Sequence, residues 1–279
     1  MLQQNRWARS KTARADLAKR VVYFRDMKQL THTFSTTLHI FLASAMVAAS
    51  LAVTQPRAAS SQALDHLLYL PVILHHEPAV NPLHQGIATY YYATGDGACM
   101  FGASPNDLMV AAMNAEEYNH SIYCGAYVSV QGPKGAVTVR IVDLCPECKA
   151  GHLDLSLEAF AEIADVAAGR VNITWRVVSP EISTPIAYHF KDGSNQWWTA
   201  VQVRNHRNPI AKLEFYNGNA WVEVPRTDYN YFVQTGPGMG IGPYTFRVTD
   251  WYGNVLIDSG IPHVENGSVT GAGQFPYGP

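Results

Sequence analysis

The chain has 279 residues and a formal net charge of −2, enough for two small domains behind an N-terminal tail. The charge is unevenly spread: residues 1–63 hold nine Lys/Arg and two Asp/Glu, while residues 64–279 hold eleven and twenty, a net of −9. An acidic body excludes the clustered basic surface that nucleic acid requires for counterion release. It also disfavours acidic polymers, so a neutral glycan, held by aromatic faces and hydrogen bonds, is the easier partner.

Residues 1–63 read as a leader. Leu38 to Val53 is almost wholly apolar, yet short of the roughly 20 residues that a membrane span needs. Basic residues precede it and the small residues Ala58-Ala59-Ser60 follow, which is the pattern of a secretory signal peptide. Met27-Lys28 would make a more ordinary start, and a retained membrane anchor is the alternative reading. Residues 64–85 read as a linker with Pro71 and Pro82, in which His75, His76 and His84 are expected to be solvated rather than metal ligands.

Residues 86–178 form the first predicted domain, with short strands and two helices. Ser104-Pro105-Asn106-Asp107 carries an N-cap, a proline at the first helical position and an acidic residue placed to reach back, as in a capping box. Leu108, Ala111, Ala112 and Ala115 would give that helix its apolar face. Ala126–Val130 and Val137–Val142 read as strands divided by a turn at Gly132–Gly135. Ser156 opens a second predicted helix that runs to about Ala168, with Phe160, Ile163 and Ala164 inward and Gly169 as its stop. Val171–Val178 is a strand with Val171, Ile173, Trp175 and Val177 on one face.

All four cysteines fall between Cys99 and Cys148, beyond the export signal, and their even count suggests disulfides. Three pairings are open; loop proximity favours Cys99–Cys124 with Cys145–Cys148. Zinc is not expected, because Cys145 and Cys148 supply two ligands and Cys99 and Cys124 form no second pair of that spacing.

Ser179–Pro185 (residues 179–185) is a short linker with two prolines, stiff enough to hold two domains in a near-fixed relation. Residues 186–279 read as almost all strand, with turns at Asn217-Gly218 and Tyr252-Gly253-Asn254. Val201, Val203, Leu213, Phe215, Val222, Val224, Phe246 and Val248 alternate with polar neighbours, which suggests a β-sandwich. Gly236-Pro237-Gly238-Met239-Gly240 has neither a lysine nor a following helix, so it is a loop and not a nucleotide site. Trp175 and Trp221 read as core, and Trp251 at a turn is left open.

The stretch from Val142 to Ser156 is the densest in chemistry. It carries Asp143, a Cys-x-x-Cys loop and Gly151-His152-Leu153-Asp154-Leu155-Ser156. Asp154 lies between two leucines, and an apolar wall raises a carboxyl pKa and lets it donate a proton. Taken alone, Asp143 and Asp154 also fit turn and helix-start residues beside a disulfide. Trp197 and Trp198 are adjacent, and adjacent residues on an ideal strand face opposite ways. Both can meet one ligand only if the strand begins or bulges there.

Several motifs occur together and in order: Gly86-Ile87-Ala88-Thr89-Tyr90-Tyr91, Gly97-Ala98-Cys99, Cys124-Gly125-Ala126-Tyr127-Val128, Gly132-Pro133-Lys134-Gly135, His152-Leu153-Asp154, Trp197-Trp198, Asp228-Tyr229-Asn230 and Gln274-Phe275-Pro276. From Gly86 to Pro279 the chain resembles microbial expansins, whose first domain is related to family-45 endoglucanases. The resemblance implies a mainly β protein, with a six-stranded double-psi beta-barrel followed by an immunoglobulin-like beta-sandwich of carbohydrate-binding family 63. It implies Asp154 as the essential acid, with Thr89 and Asp143 lining the same groove. Trp197, Trp198 and Tyr229 would form an aromatic row that stacks on glucose rings.

Two departures matter. The second catalytic aspartate of the endoglucanases falls on Ala93, which removes the base that hydrolysis requires, although Asp96 or Asp143 could stand in. A groove tyrosine of the better-known microbial expansins falls on Cys145, so Tyr90, Tyr91 or Tyr92 would have to supply a ring; Tyr91 is taken as a substrate-binding residue. The expectation is a secreted, monomeric, non-hydrolytic wall-loosening protein that acts on cellulose and related β-glucans without a cofactor. Peptidoglycan is the alternative matrix. The rival readings are a glycoside hydrolase or lytic transglycosylase, and a binding-only module with an inert barrel.

Overall fold

The computed structural model describes residues 81–279. The leader, with its signal peptide, and the linker as far as residue 80 lie outside the described residues. Within them the first domain is a closed six-stranded barrel in the order β1-β5-β2-β4-β3-β6. Its strands are β1 His84–Tyr91, β2 Val110–Asn114, β3 Tyr127–Gln131, β4 Ala136–Cys145, β5 Leu153–Ser156 and β6 Val171–Val178. The β1–β5 and β2–β4 pairs are parallel, and β6 closes the barrel antiparallel to β1. Trp175, Phe160, Met113, Ile141, Leu153 and Leu155 fill the interior. Alternation on β6 is as the pattern requires, with Ile173, Trp175 and Val177 buried.

The first predicted helix is not there. Ser104–Asp107 makes only a turn, closed by the Asp107 N–H donating to the Ser104 carbonyl at 2.8 Å. The apolar residues behind it form β2, every residue of which is buried. A run that is apolar on all sides carries no period to separate helix from strand. Here the partners decide, because β4 and β5 flank β2 and take its backbone hydrogen bonds. The helical turn comes later, at α1 Ala115–Tyr118, where the Asn114 side chain accepts from the Glu117 N–H at 3.1 Å.

The second helix, α2 Leu157–Ile163, begins on Ser156 as its cap, with the hydroxyl accepting from the Ala159 N–H at 3.1 Å. It stops before Ala168. Asp165 caps a separate 3-10 turn, Val166–Ala168, which ends on Gly169 at φ 63°. His84 also departs from its solvated reading. It opens β1, its ring lies flat on Trp175 at 3.9 Å, and its Nδ1 is 2.9 Å from Glu117.

The second domain is a sandwich of two antiparallel four-stranded sheets, β10-β9-β12-β13 and β11-β8-β7-β14. The strands are β7 Ala187–Phe190, β8 Thr199–Arg204, β9 Ile210–Tyr216, β10 Trp221–Val224, β11 Phe232–Gln234, β12 Tyr244–Asp250, β13 Val255–Ile261 and β14 Ser268–Thr270. Its core gathers Tyr188, Phe190, Val201, Leu213, Phe246 and Phe275. Trp221 is not in that core. It is half-buried on the outer face, with the Arg247 guanidinium 4.5 Å from its ring.

Barrel and sandwich are joined by polar contacts as well as by the linker. The Cys99 carbonyl accepts from Gln202 at 2.9 Å and from Asn230 at 3.2 Å, and both amide side chains are fully buried. The Tyr118 hydroxyl donates to the Asp228 carbonyl and the Ser121 hydroxyl to the Thr227 carbonyl, at 2.9 and 2.8 Å. Trp251 meets Tyr123 edge-on at 5.0 Å and packs against the barrel core.

Candidate functional site

Thr89 and Asp154 are side by side because β1 and β5 run parallel with these two residues in register. On β5 the neighbours Leu153 and Leu155 point inward and are fully buried, so Asp154 turns the other way and stays half-buried. The Thr89 hydroxyl donates to Asp154 Oδ1 at 2.5 Å. The Thr89 hydroxyl oxygen is also 3.0 Å from His152 Nε2. With the only hydroxyl proton given to the carboxylate, His152 must be the donor, which fixes its proton on Nε2. A chain therefore runs from the His152 imidazole through the Thr89 hydroxyl to the Asp154 carboxylate.

Burial raises the Asp154 pKa, and this outweighs the lowering by the Thr89 hydrogen bond and by His152. Burial also lowers the pKa of His152. The two shifts point the same way chemically, toward a neutral imidazole beside a carboxyl group that holds its proton more readily. The negative charges of Glu147 and Asp143 add to the rise at Asp154.

Asp143 is fixed differently. Its Oδ1 accepts from the backbone N–H of Ala98 at 2.7 Å and of Leu144 at 2.8 Å. The Ala98 side of that bracket needs Gly97, since a Cβ there would come within 2.3 Å of the Asp143 carboxyl carbon. Tyr91 feels both acids: burial first, then Asp143, then Asp154 push its hydroxyl pKa up. The hydroxyl is buried with no hydrogen-bond partner among the described residues. The other two tyrosines of the run are elsewhere. Tyr90 packs on Phe160 at 5.1 Å, and Tyr92 is 82% exposed.

The loop that carries His152 is held from behind. Glu117 Oε2 accepts from the Gly151 N–H at 2.9 Å, and Asn114 donates to the His152 carbonyl at 3.1 Å. The Trp175 indole donates to the Gly151 carbonyl at 2.9 Å. Gly86 must be glycine, because a Cβ there would lie 1.9 Å from that same carbonyl. Cys145 is bonded to Cys148, and Cys99 to Cys124. Cys145 is buried and offers no ring.

Of the carboxylates weighed as a second acid or base, Asp96 is exposed and accepts from the next residue's N–H. The two whose charge reaches Asp154 are Glu147 and Asp143. Sequence reasoning passed over Glu147 and gave His152 no separate part; the signal for both was their place on the short loop between Cys145 and Asp154. Among the described residues no group of His, Cys, Asp and Glu side chains could hold a metal ion.

On the sandwich, Trp197 and Trp198 lie in a turn just before β8, not on the strand. Asn195 Oδ1 accepts from the N–H groups of both, at 2.9 and 3.1 Å, and the Asn195 N–H donates to the Trp198 carbonyl at 2.8 Å. The turn frees both rings from strand alternation: Trp197 is 66% exposed and Trp198 half-buried. Tyr229, also half-buried, is carried by a second turn, closed by the Thr227 N–H donating to the Tyr231 carbonyl at 2.8 Å. Asn230, in that turn, is the residue that reaches the Cys99 carbonyl.

With this geometry in hand, the likeness to known proteins is specific. A family model described as lytic transglycolase matches residues 84–175, the barrel. Expansin-YoaJ of Bacillus subtilis is 40% identical over 212 residues, which cover 71% of this chain and 89% of that protein. The crystal structure of the apo Clavibacter michiganensis expansin superposes with a TM-score of 0.65 at 36% identity, covering 70% of this chain and 99% of that one. A variant of the same Clavibacter expansin, solved in complex with cellohexaose, gives a TM-score of 0.66 at 36% identity. The chain belongs to the expansin family.

Proposed function

We propose that this chain is a secreted expansin that binds cellulose through the sandwich and loosens glucan–glucan contacts through the barrel, without cutting the chains. The observation that carries this reading is the pairing of Thr89 with Asp154: a half-buried carboxyl group of raised pKa, oriented by a hydroxyl, with alanine at position 93 where the related hydrolases have their second aspartate. A protonated Asp154 donates a hydrogen bond to a glucan oxygen and so competes with the bonds that hold neighbouring chains together. Asp143 braces the loop beside it, and Tyr91 lies close enough to both acids to feel their charge. Trp197, Trp198 and Tyr229 supply apolar ring faces that stack on pyranose units without charge, in keeping with an acidic body. The cellohexaose complex of the Clavibacter relative supports the choice of a β-1,4-glucan ligand.

Export follows from the signal-peptide reading of the leader; among the described residues no helix is long and apolar enough to cross a membrane. The protein acts as a monomer and needs no cofactor. A hydrolytic or transglycosylating barrel is the competing reading, favoured by the family model that matches it and by the two carboxylates whose charge reaches Asp154. Purified protein incubated at length with insoluble cellulose, and in parallel with peptidoglycan, separates the two. The expansin reading expects firm binding to cellulose with no soluble reducing sugar. Sugar or muropeptide that appears with wild type and vanishes in Asp154→Asn would make the protein a glycan-cleaving enzyme, with Glu147 or Asp143 as its second carboxylate.

A further inference from the structure

A concave surface lies on the sandwich, distinct from the Thr89–Asp154 site of the barrel. The loop after β11 and the turn after β9 enclose a cleft of about 590 Å³, within the range of about 300–1,000 Å³ typical of small-molecule sites. Its floor is apolar, with Phe215, Val222 and Tyr244, and its rim carries Tyr216, 44% exposed, and Ile241, 77% exposed.

No charged side chain lines the cleft, which argues against ionic ligands. Two amides do line it, and their bonding leaves complementary ends free. Asn217 Oδ1 accepts from the N–H groups of Asn219 and Ala220 at 3.0 and 2.9 Å, so its NH₂ remains to donate. Gln234 Nε2 donates to the Thr235 carbonyl at 3.2 Å, so its oxygen remains to accept. A donor, an acceptor and an open tyrosine ring around an apolar floor match the alternating hydroxyls and C–H face of a neutral sugar.

The cleft is also tied to the aromatic turn. The Gly240 N–H donates to the Gln196 carbonyl at 3.1 Å, and the Tyr244 hydroxyl donates to the Gly240 carbonyl at 2.8 Å. A Cβ on Gly238 would come within 2.0 Å of the Gln196 oxygen and 2.6 Å of the Trp197 Cα. One wall of the cleft is thus packed against the turn that presents Trp197. A linear glucan lying on exposed rings does not descend into a neighbouring cleft, whereas a unit that leaves the chain axis does.

We infer that this cleft is a subsite for a neutral glycosyl branch of a matrix β-glucan, next to the aromatic residues that hold the backbone. The assignment rests on the reading of the sandwich as a glycan-binding module. The test uses the full-length protein with two soluble probes, unbranched cellohexaose and a xylosylated β-glucan oligosaccharide of equal backbone length, together with depletion on insoluble cellulose. Wild type binds the branched probe several-fold more tightly. Tyr216→Ala, which removes an exposed ring, abolishes most of that preference and leaves cellohexaose binding and cellulose depletion unchanged; Ile241→Ser acts in the same direction. Trp197→Ala weakens both probes. Equal affinity of wild type for the two probes, or a branch preference untouched in Tyr216→Ala and Ile241→Ser, overturns the cleft assignment while cellulose depletion still stands. Absence of cellulose depletion in the wild type overturns the glycan reading of the sandwich itself, and the cleft assignment with it.

Discussion

The barrel keeps its candidate chemistry half-buried, and the sandwich carries its own on turns at the surface. Asp154 is held by a hydroxyl on the adjacent strand and by burial that shifts its pKa. Trp197 is held only through its backbone, by Asn195, and its ring is left to solvent. One site works through a protonation state and a direction, the other through area. Substitutions in the barrel should therefore change what happens to bound glucan, and substitutions in the sandwich should change how much is bound.

The largest effect expected on binding is from Trp197→Ala combined with Trp198→Ala. Loss of two ring faces weakens adsorption to cellulose by about tenfold or more, read as a bound fraction, while thermal unfolding hardly moves because the rings lie outside the core. Unchanged adsorption would move the ligand off this turn and collapse the contrast between the domains.

Next comes the seam. Gln202→Ala removes a buried donor from the Cys99 carbonyl and should cost about 1–3 kcal/mol of stability, seen as a lower Tm. If loosening needs the two sites on one rigid body, this variant loses loosening before it loses adsorption.

A smaller and more discriminating effect is on pH. Loosening by a protonated Asp154 declines as pH rises through its raised pKa. The Thr89 hydrogen bond opposes the rise, so Thr89→Val should move that decline to higher pH, though it also loosens the carboxyl's orientation and lowers the maximum. A shift to lower pH would contradict the assignment of the acid. The smallest effect is the control Trp221→Ala, on the other sheet, which should leave cellulose adsorption unchanged.

Asp154, Thr89 and Asp143 were named in the sequence through the resemblance, and strand alternation accounts for where Asp154 lies. The flanking leucines read as an apolar wall beside the carboxyl group; in the structure Leu153 and Leu155 face the core, Asp154 faces the other way, and only the β1–β5 pairing brings Thr89 to it. The core reading of Trp221 went against the rule of alternation. Alternation that points Val222 and Val224 inward points Trp221 outward, and bulk alone suggested a core. For Trp197 and Trp198 the rule did not apply, since Asn195 makes a turn where a strand would have separated the rings. The helix expected after Ser104 failed for another reason: a segment apolar on every side reports burial, not geometry, and only its neighbours β4 and β5 make it a strand. His84, Glu117 and Asn114 were invisible as a support because their partners, Trp175, Gly151 and His152, are brought to them by barrel closure and not by sequence proximity.

The central claim is that loosening belongs to Asp154 and adsorption does not. The most direct measurement is extension of a cellulosic wall or paper strip under constant load, with wild type and Asp154→Asn at equal bound protein and with released sugar assayed in the same bath. The account predicts extension with wild type, none with Asp154→Asn, equal adsorption, and no sugar from either. Extension that persists in Asp154→Asn, or adsorption that falls with it, would contradict the account.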